Sequence, residues 1–155
     1  MIAIGLGGNV GDDAAIVERF RRAREALGPA RSAPLYRSAP IGPAQPAYLN
    51  TAIAIGGDWL PAQLIAFVLE TERLLGRDRR GEARWGPRAI DLDVLAWDDR
   101  AIAIPGLTVP HPRIAERRFV LLPLLALGVA VPGVELATAE ARVRDQAVTE
   151  ISAGW

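Results

Sequence analysis

The sequence contains no cysteine, no lysine and only one histidine. Without cysteine the chain cannot form disulfides, thiolate–metal sites or a thiol nucleophile. Without lysine it has neither the amine of a Schiff-base enzyme nor the phosphate-binding lysine of a G-x-x-x-x-G-K-[ST] loop. The lone histidine, His111, leaves too few nitrogen or sulfur ligands for a zinc enzyme. A metal ion bound by this chain is therefore expected to have oxygen ligands.

The chain also lacks net charge and long apolar segments. Its 18 basic residues, all arginine, offset 18 acidic residues, so no overall field favours nucleic acid or an anionic membrane. The apolar run 119–134 has 16 uncharged residues and contains two prolines, whereas a membrane helix needs about 18 or more. The first basic residue is Arg19, so the N-terminus has no signal-peptide pattern. We expect a cytoplasmic protein without nucleic-acid or membrane partners.

With 155 residues, half of them hydrophobic, the chain is long enough for one buried core, and we predict a single domain over residues 1–155. The periodicity of apolar residues and the turn signals predict strands and helices in the order 1–6 (strand), 13–27 (helix), 35–36 (strand), 48–56 (strand), 61–75 (helix) and 88–97 (strand). This order is that of an α/β (α+β) fold with a ferredoxin-like βαββαβ core. The expected C-terminal additions include a hairpin strand at 101–104 and a helix ending at Leu127.

Two aspartates alternate with apolar residues in the last predicted strand. Strand side chains point to opposite faces in turn, so Asp91 and Asp93 share one face while Leu92 lies on the other. Adjacent like charges repel, and aspartate is disfavoured in strands. Mg²⁺ together with bound phosphate would compensate these charges. A solvated strand face, or salt bridges to arginines, explains the pattern equally well.

Five arginines come just before these aspartates, in a polar segment that also contains Trp85; they are Arg77, Arg79, Arg80, Arg84 and Arg88. Guanidinium groups match the geometry of phosphate oxygens. A tryptophan in a polar loop is unfavourable unless it covers something. The composition therefore favours a loop that closes over a phosphorylated substrate, rather than a solvated charged loop.

A glycine-rich turn, 5–11, follows the first predicted strand. It does not match the dinucleotide-binding pattern G-x-G-x-x-G, because Val10 occupies the place of the third glycine. We interpret the segment either as a tight turn that brings Asn9 to a ligand or as a purely structural turn.

Two further sets of residues are weaker signals. Tyr48 and Asn50 share a strand face and could stack on and hydrogen-bond a flat heterocycle, although a polar strand face is the simpler explanation. His111 lies between two prolines, with Arg117 one to two helical turns further on. A single histidine is more often structural than catalytic, so this arrangement does not by itself indicate a function.

Several segments together resemble the 6-hydroxymethyl-7,8-dihydropterin pyrophosphokinase family over nearly the whole chain. They are Gly7–Asn9, Tyr48–Asn50, Glu72 with Gly76–Arg77, Arg84–Asp93, and Pro110–Pro112 with Arg117, Phe119 and Pro123–Leu124. The most specific is the block from Arg84 to Asp93. The resemblance implies a monomeric enzyme of folate biosynthesis with a ferredoxin-like fold. It implies transfer of the β,γ-diphosphoryl group of ATP to the pterin hydroxymethyl group, with release of AMP.

The resemblance also implies roles for individual residues. Asp91 and Asp93 would hold two Mg²⁺ ions. The pterin would lie between Tyr48 and Phe119, and its further contacts would be Asn9, Ser38, Ile41 and Asn50. A loop containing Arg77, Trp85 and Arg88 would close over both substrates. The expected ATP contacts are His111, Arg117, Glu72, Val94 and Thr108.

The sequence departs from the family pattern at three places. Gly8 stands where the family usually has serine, and Ala39 where proline is common. The segment 77–84 is one residue longer than in some members, so either Arg79 or Arg80 takes the role of the second loop arginine.

Other classes of protein remain as alternatives. A ferredoxin-like domain can bind RNA, but this use favours exposed aromatic residues and a basic charge balance. A small-ligand-binding domain would not need an aspartate pair beside an arginine loop. A glycosyltransferase with an Asp-x-Asp motif would need a longer chain. Release of AMP from ATP separates the pyrophosphokinase from all three.

Overall fold

The computed structural model describes residues 1–82 and 86–155. Its elements are β1 (Ile2–Gly8), α1 (Asp13–Leu27), β2 (Ala30–Ser32), β3 (Leu35–Ser38), β4 (Tyr48–Ile55), α2 (Pro61–Leu74), β5 (Asp91–Trp97), β6 (Ile102–Ile104), β7 (Leu107–Val109), a 3₁₀ helix (Ile114–Glu116), α3 (Arg118–Leu127), α4 (Leu136–Arg142) and β8 (Val148–Ser152). The mixed α+β class is confirmed, while the ferredoxin-like assignment stays a prediction. None of the helices formed by the described residues has the length and apolar character of a membrane span.

The main sheet is antiparallel, with the strand order β5-β1-β4-β3-β8 and with β2 also paired to β4. In this register Gly7 lies opposite Asn50 on one side and Asp91 on the other. On the β5 side, Gly5 lies opposite Asp93. The sheet therefore brings the predicted polar residues of β4 and β5 to one region around the glycine-rich end of β1.

Helices cover both faces of the sheet. One core layer joins α1 and α2 to the sheet through Ile16, Phe20, Leu64 and Val68. The opposite layer joins α3 and α4 to it through Leu121, Leu124, Leu136, Ala52 and Ala54. Since the sheet presents alanines here, α3 packs close to β4. The face beside the N-terminus of α3 is left free for a cavity.

Local signals explain where the predicted helices begin and end. Asp12 caps α1 by accepting a hydrogen bond from the backbone N–H of Ala15 at 2.8 Å. Gly28, with φ of +94°, ends the same helix. Pro61 occupies the first turn of α2, where its missing N–H is not needed. The predicted helix over 13–27 is therefore confirmed, and the second predicted helix is confirmed with its end at Leu74.

The strand expected at 101–104, which would complete a hairpin with the strand 88–97, has a different partner in the structure. Residues 102–104 form β6, but β6 pairs with β7 and not with β5. Gly106, with φ of +80°, allows the tight turn between these two short strands. Strands β2 and β8 were not predicted. The side chains of β8 are largely exposed, so its sequence lacks the apolar alternation that marks a half-buried strand.

Candidate active site

A cavity of about 300 Å³ lies beside the N-terminus of α3, on the face of the sheet that the glycines of β1 leave open. It is lined by the predicted site residues Ser38, Ile41, Tyr48, Asn50, Arg88, Asp91, Asp93, Arg117 and Phe119. A Cβ atom on Gly7 would lie 3.4 Å from Oδ1 of Asn50, so glycine here preserves the space between the strands. The volume is at the lower end of the range for small-molecule pockets.

The aromatic and amide residues form one part of the lining. Tyr48 donates its hydroxyl to the carbonyl of Gly86 at 2.9 Å, and burial raises the pKa of this hydroxyl while Arg88 opposes the increase. Asn50 is buried and donates to Oγ of Ser38 at 2.8 Å. Tyr48, Asn50, Ser38 and Phe119 therefore combine flat apolar surface with hydrogen-bonding groups in one cavity.

The two aspartates of β5 have different surroundings. Asp91 accepts hydrogen bonds from the guanidinium groups of Arg77 and Arg88, the latter at 2.5 Å. In the part of the chain that the structure describes, the Asp93 carboxylate has no hydrogen-bond or ion-pair partner. Burial and the charge of Asp91 raise the pKa of Asp93 to about 6, and Arg117 partly opposes this increase. Asp93 is therefore a carboxylate that faces the cavity and whose charge is only partly compensated, by Arg117 and Arg88.

Behind Asp91 lies a buried ion-pair network centred on Glu72. This carboxylate accepts from Arg77 at 2.7 Å, from Arg79 at 2.5 Å and from the backbone N–H of Leu92 at 2.7 Å. Arg77 also donates to Glu82 at 2.8 Å. Burial opposes the positive charge of Arg77, but its carboxylate neighbours outweigh this effect and raise its pKa. The network fastens α2 to β5.

The structure also distinguishes the two arginines left open by the loop-length difference. Arg79 donates to the buried Glu72, whereas the exposed Arg80 pairs with exposed Asp78. Arg79 is therefore the one connected to the ion-pair network behind Asp91.

Asn9 is buried and is not part of the cavity lining. Its side-chain amide donates to Oε1 of Gln45 at 3.0 Å and to the carbonyl of Pro46 at 2.9 Å. Its Oδ1 accepts the backbone N–H of Arg88 at 2.9 Å. Asn9 thus joins the turn after β1 to the loop before β4 and to the segment before β5. Of the two interpretations of this turn, these contacts favour the structural one.

Glycine at position 8 also has a structural explanation. A Cβ atom built on Gly8 would lie only 2.8 Å from the carbonyl oxygen of Ala89. A serine at this position therefore requires a shift of the backbone before β5. The absence of a side chain lets β1 and this segment approach closely.

His111 and Arg117 lie near the aspartates. His111 donates its backbone N–H to the carbonyl of Leu95 at 2.8 Å, and its Nδ1 accepts from the backbone of Arg113 at 3.2 Å. Burial, Arg117 and Arg113 all lower the pKa of His111, so its imidazole is neutral at pH 7. Nε of Arg117 is buried without a hydrogen-bond partner among the described residues. The Arg117 guanidinium lies 5.8 Å from the ring centroid of Phe119.

The structure places other predicted site residues away from the cavity surface. Glu72 and Val94 are buried, Thr108 is exposed on β7, and Arg77 and His111 do not line the cavity. Trp85 lies outside the described residues, as does Arg84. Arg113 lines the cavity and was missed. Its position two residues after His111 was the available signal.

The donor set of the site fits Mg²⁺ bound with a phosphorylated ligand. Within residues 1–82 and 86–155, no group of three or more His, Cys, Asp or Glu side chains could hold a metal alone. Asp91 and Asp93 supply oxygen donors from two positions on the same strand face. Mg²⁺ commonly takes one or two carboxylates and completes its coordination with phosphate and water. The partly compensated charge of Asp93 is consistent with such a ligand.

Comparison with known proteins agrees with these features. The sequence model of the 7,8-dihydro-6-hydroxymethylpterin-pyrophosphokinase family matches residues 3–129. The chain is 43% identical over 126 residues to 2-amino-4-hydroxy-6-hydroxymethyldihydropteridine pyrophosphokinase of Methylorubrum extorquens, covering 78% of each chain. It is 37% identical over 125 residues to the enzyme of the same name in Bacillus subtilis, covering 78% of this chain and 74% of that one. It is also 37% identical over 137 residues to a mitochondrial folate synthesis bifunctional protein of Pisum sativum, covering 84% of this chain and 26% of that protein.

Proposed function

The chain belongs to the 7,8-dihydro-6-hydroxymethylpterin-pyrophosphokinase family, and we propose that its cavity beside α3 is where ATP and 6-hydroxymethyl-7,8-dihydropterin react. It is a pyrophosphokinase of folate biosynthesis. One observation carries the placement of the reaction: Asp91 and Asp93 line the same cavity as Tyr48, Asn50 and Phe119. The cavity therefore combines oxygen donors for a metal with a surface for a heterocycle.

The pterin is proposed to bind among Tyr48, Phe119, Asn50 and Ser38. A flat conjugated ring gains stacking energy against aromatic side chains. The Asn50 amide is fixed by its 2.8 Å bond to Ser38, so both groups meet the ligand in a defined orientation. Ile41, exposed at the cavity edge, adds apolar contact.

Asp91 and Asp93 are proposed to hold Mg²⁺, and the resemblance to the family implies two ions. The metal would neutralise phosphate charge and acidify the attacking hydroxyl group. Support comes from the lack of a partner for Asp93 and from its raised pKa, because a nearby cation removes the cost of ionising this group. Asp91 must exchange at least part of its pairing with Arg77 and Arg88 to act as a ligand.

That exchange gives the arginines a second role. A guanidinium that no longer pairs with Asp91 can donate to phosphate oxygens with the same fork geometry. Arg88 and Arg117 already line the cavity, and the buried Nε of Arg117 has no competing acceptor among the described residues. Because Nδ1 of His111 accepts the backbone N–H of Arg113, His111 would present its other ring nitrogen to the triphosphate as a hydrogen-bond donor.

In the reaction the hydroxymethyl oxygen of the pterin forms a bond to the β-phosphorus of ATP. The bond between this phosphorus and the oxygen bridging to the α-phosphate breaks, AMP leaves with that oxygen, and the hydroxyl proton passes to solvent. Phosphoryl transfer of this kind depends on positioning and charge stabilisation more than on a protein base. The roles of Glu72, Val94 and Thr108 near the nucleotide stay predictions, as do the monomeric state and the cytoplasmic location.

Product analysis tests the proposal. The chain is incubated with ATP, Mg²⁺ and 6-hydroxymethyl-7,8-dihydropterin, and the nucleotide and pterin products are separated by chromatography. We expect equal amounts of AMP and pterin diphosphate, with none when Mg²⁺ is removed by EDTA. ADP with a pterin monophosphate would contradict the proposed chemistry, and an Asp93→Asn variant with full activity would contradict the metal assignment.

A further inference from the structure

The N-terminus of α3 is held by a residue far along the chain. Arg117 precedes α3 and supplies no side-chain cap to the helix. Instead, the backbone N–H of Arg118 donates to Oε1 of Gln146 at 2.9 Å. The Nε2 of the same amide donates to the carbonyl of Glu116 at 2.8 Å. One side chain therefore bridges the backbone groups on both sides of Arg117.

Further contacts fix the segment that carries Gln146. The Arg118 side chain donates to the carbonyl of Gln146 at 3.0 Å and to Oε1 of Glu140 at 2.9 Å. Glu140 is buried and also accepts from Arg144 at 3.1 Å. Because Gln146 is attached at both its backbone and its side chain, its amide is a rigid partner for residues 116–118.

This arrangement matters because, among the described residues, no polar contact orients the Arg117 side chain. Among residues 1–82 and 86–155 it makes no hydrogen bond or ion pair, and its Nε is buried without a partner. The guanidinium faces the cavity near Asp93, whose ionisation it favours. A long side chain without polar contacts takes its direction from the backbone that carries it. The backbone at position 117 is what Gln146 fixes.

We propose that Gln146 is a positioning residue for Arg117, acting through the backbone of residues 116–118. The inference rests on the proposed function of the cavity. Gln146 lies beyond residues 3–129, the part that matches the family, so the assignment comes from the contacts of this chain. A misplacement of about 1 Å in a positioned group can lower a rate by as much as about 100-fold, so loss of one amide can affect the reaction without unfolding the chain.

The test must separate positioning from general stability. Gln146→Met keeps the length of the side chain and removes both hydrogen bonds. Glu135→Ala is the matched control, since Glu135 caps α4 with bonds to the backbone N–H groups of Ala137 at 3.3 Å and Thr138 at 2.7 Å. Glu135→Ala removes two side-chain hydrogen bonds, as Gln146→Met does, but at the N-terminus of α4. Glu135 does not contact residues 116–118.

The experiment is a double-mutant cycle in the full chain, with AMP release measured at saturating pterin and varied MgATP, and again at saturating MgATP and varied pterin. We expect Gln146→Met to lower kcat/KM for ATP by about 10-fold and to leave the KM for pterin within about 2-fold. In an Arg117→Ala background the same substitution should have no further effect, because its target is absent. Glu135→Ala should lower the thermal midpoint and leave the kinetics unchanged.

Three outcomes would overturn the assignment. One is an equal fractional loss of kcat/KM for ATP when Gln146→Met is introduced into the unmodified chain and into the Arg117→Ala variant. Another is a matching kinetic loss in Glu135→Ala, which would assign the effect to stability. The third is unchanged kinetics in a folded Gln146→Met protein. If this variant does not fold, Gln146→Glu, which keeps the acceptor for Arg118 and loses the donor to Glu116, takes its place in the cycle. A chain without any AMP release would overturn the proposed function itself, and this inference with it.

Discussion

Asn9 and Arg88 exchange two backbone-directed hydrogen bonds. The N–H of Asn9 donates to the carbonyl of Arg88 at 3.0 Å, and the N–H of Arg88 donates to Oδ1 of Asn9 at 2.9 Å. The turn after β1 thereby fixes the backbone from which the Arg88 side chain enters the cavity. A residue that does not touch the cavity thus controls the position of one that does.

Replacement of Asn9 tests this relationship. Asn9→Ala leaves the Arg88 N–H and the Pro46 carbonyl without their partner, and we expect the free energy of unfolding to fall by about 1–3 kcal/mol. Asn9→Asp keeps the acceptor for Arg88 but turns an oxygen toward the Pro46 carbonyl. We therefore expect this variant, too, to have a lower free energy of unfolding at neutral pH. Urea unfolding gives the stabilities. Full stability in both variants would show that these bonds contribute nothing.

The unpaired Asp93 predicts an unusual pH dependence of the ligand-free protein. Its pKa is raised from 3.8 to about 6, and such a carboxyl contributes stability that is present below pH 3.8 and is lost as the pH rises through 6. In EDTA, Asp93→Asn should therefore be more stable than the unmodified chain above pH 6, by at most about 3 kcal/mol. The free energies of unfolding of the variant and the unmodified chain should approach each other near pH 4. Urea unfolding across this range measures the difference.

Asp91→Asn is the control for that experiment, because Asp91 is paired with Arg77 and Arg88. Its loss should lower stability at pH 7 rather than raise it, since two guanidinium groups lose a charged acceptor. Both variants should lose Mg²⁺-dependent AMP release. An Asp93→Asn protein that is less stable than the unmodified chain at pH 7.5 would contradict the electrostatic description of the site.

Tyr48 has two separable features, a ring in the cavity and a hydroxyl bonded to Gly86. Tyr48→Phe removes the hydroxyl, so we expect a loss of about 1 kcal/mol of stability and a pterin Kd within a few-fold of the original. Tyr48→Leu removes the aromatic surface and should weaken pterin binding by about 10-fold or more. Calorimetric titration with the pterin measures the Kd of both variants, and urea unfolding measures their stability. Equal weakening in the two variants would assign recognition to the hydroxyl instead.

Glu72 offers a test of a buried network against an exposed pair on the same helix. Glu72→Ala removes one of three carboxylate partners of Arg77 and leaves the Leu92 N–H without its side-chain acceptor, and we expect the free energy of unfolding to fall by about 1–3 kcal/mol. Glu70 pairs with Arg73 at a similar 2.7 Å, but both side chains are exposed. Glu70→Ala should therefore be indistinguishable from the unmodified chain in urea unfolding. Comparable losses in the two variants would contradict a special role for the buried network.

Local sequence patterns predicted the parts of the site that lie on strands. The period of two places Asp91 with Asp93, and Tyr48 with Asn50, and the cavity contains all four. The same patterns could not show that Asn9 is enclosed by Gln45 and Pro46, because that contact joins residues 36 and 37 positions apart.

The nearly complete burial of Glu72 depends on tertiary contacts in the same way, since it follows from the packing of α2 on β5. The pairing of β8 with β3 and the cap supplied by Gln146 also leave no local signature. Sequence periodicity therefore located the strand residues that face the cavity, Tyr48, Asn50, Asp91 and Asp93, but not the residues that hold them in place.

The Gln146 cap has a consequence for the timing of synthesis. Gln146 follows Phe119 by 27 residues, which is roughly 1–5 s of translation at 5–20 residues per second. Throughout that interval the nascent chain already contains the residues of the cavity, while Gln146, the amide partner of the backbone around Arg117, has not yet been synthesised. Completion of the Arg117 side of the cavity therefore waits for a segment made after residues 3–129, the part that matches the family, have left the peptidyl-transferase centre.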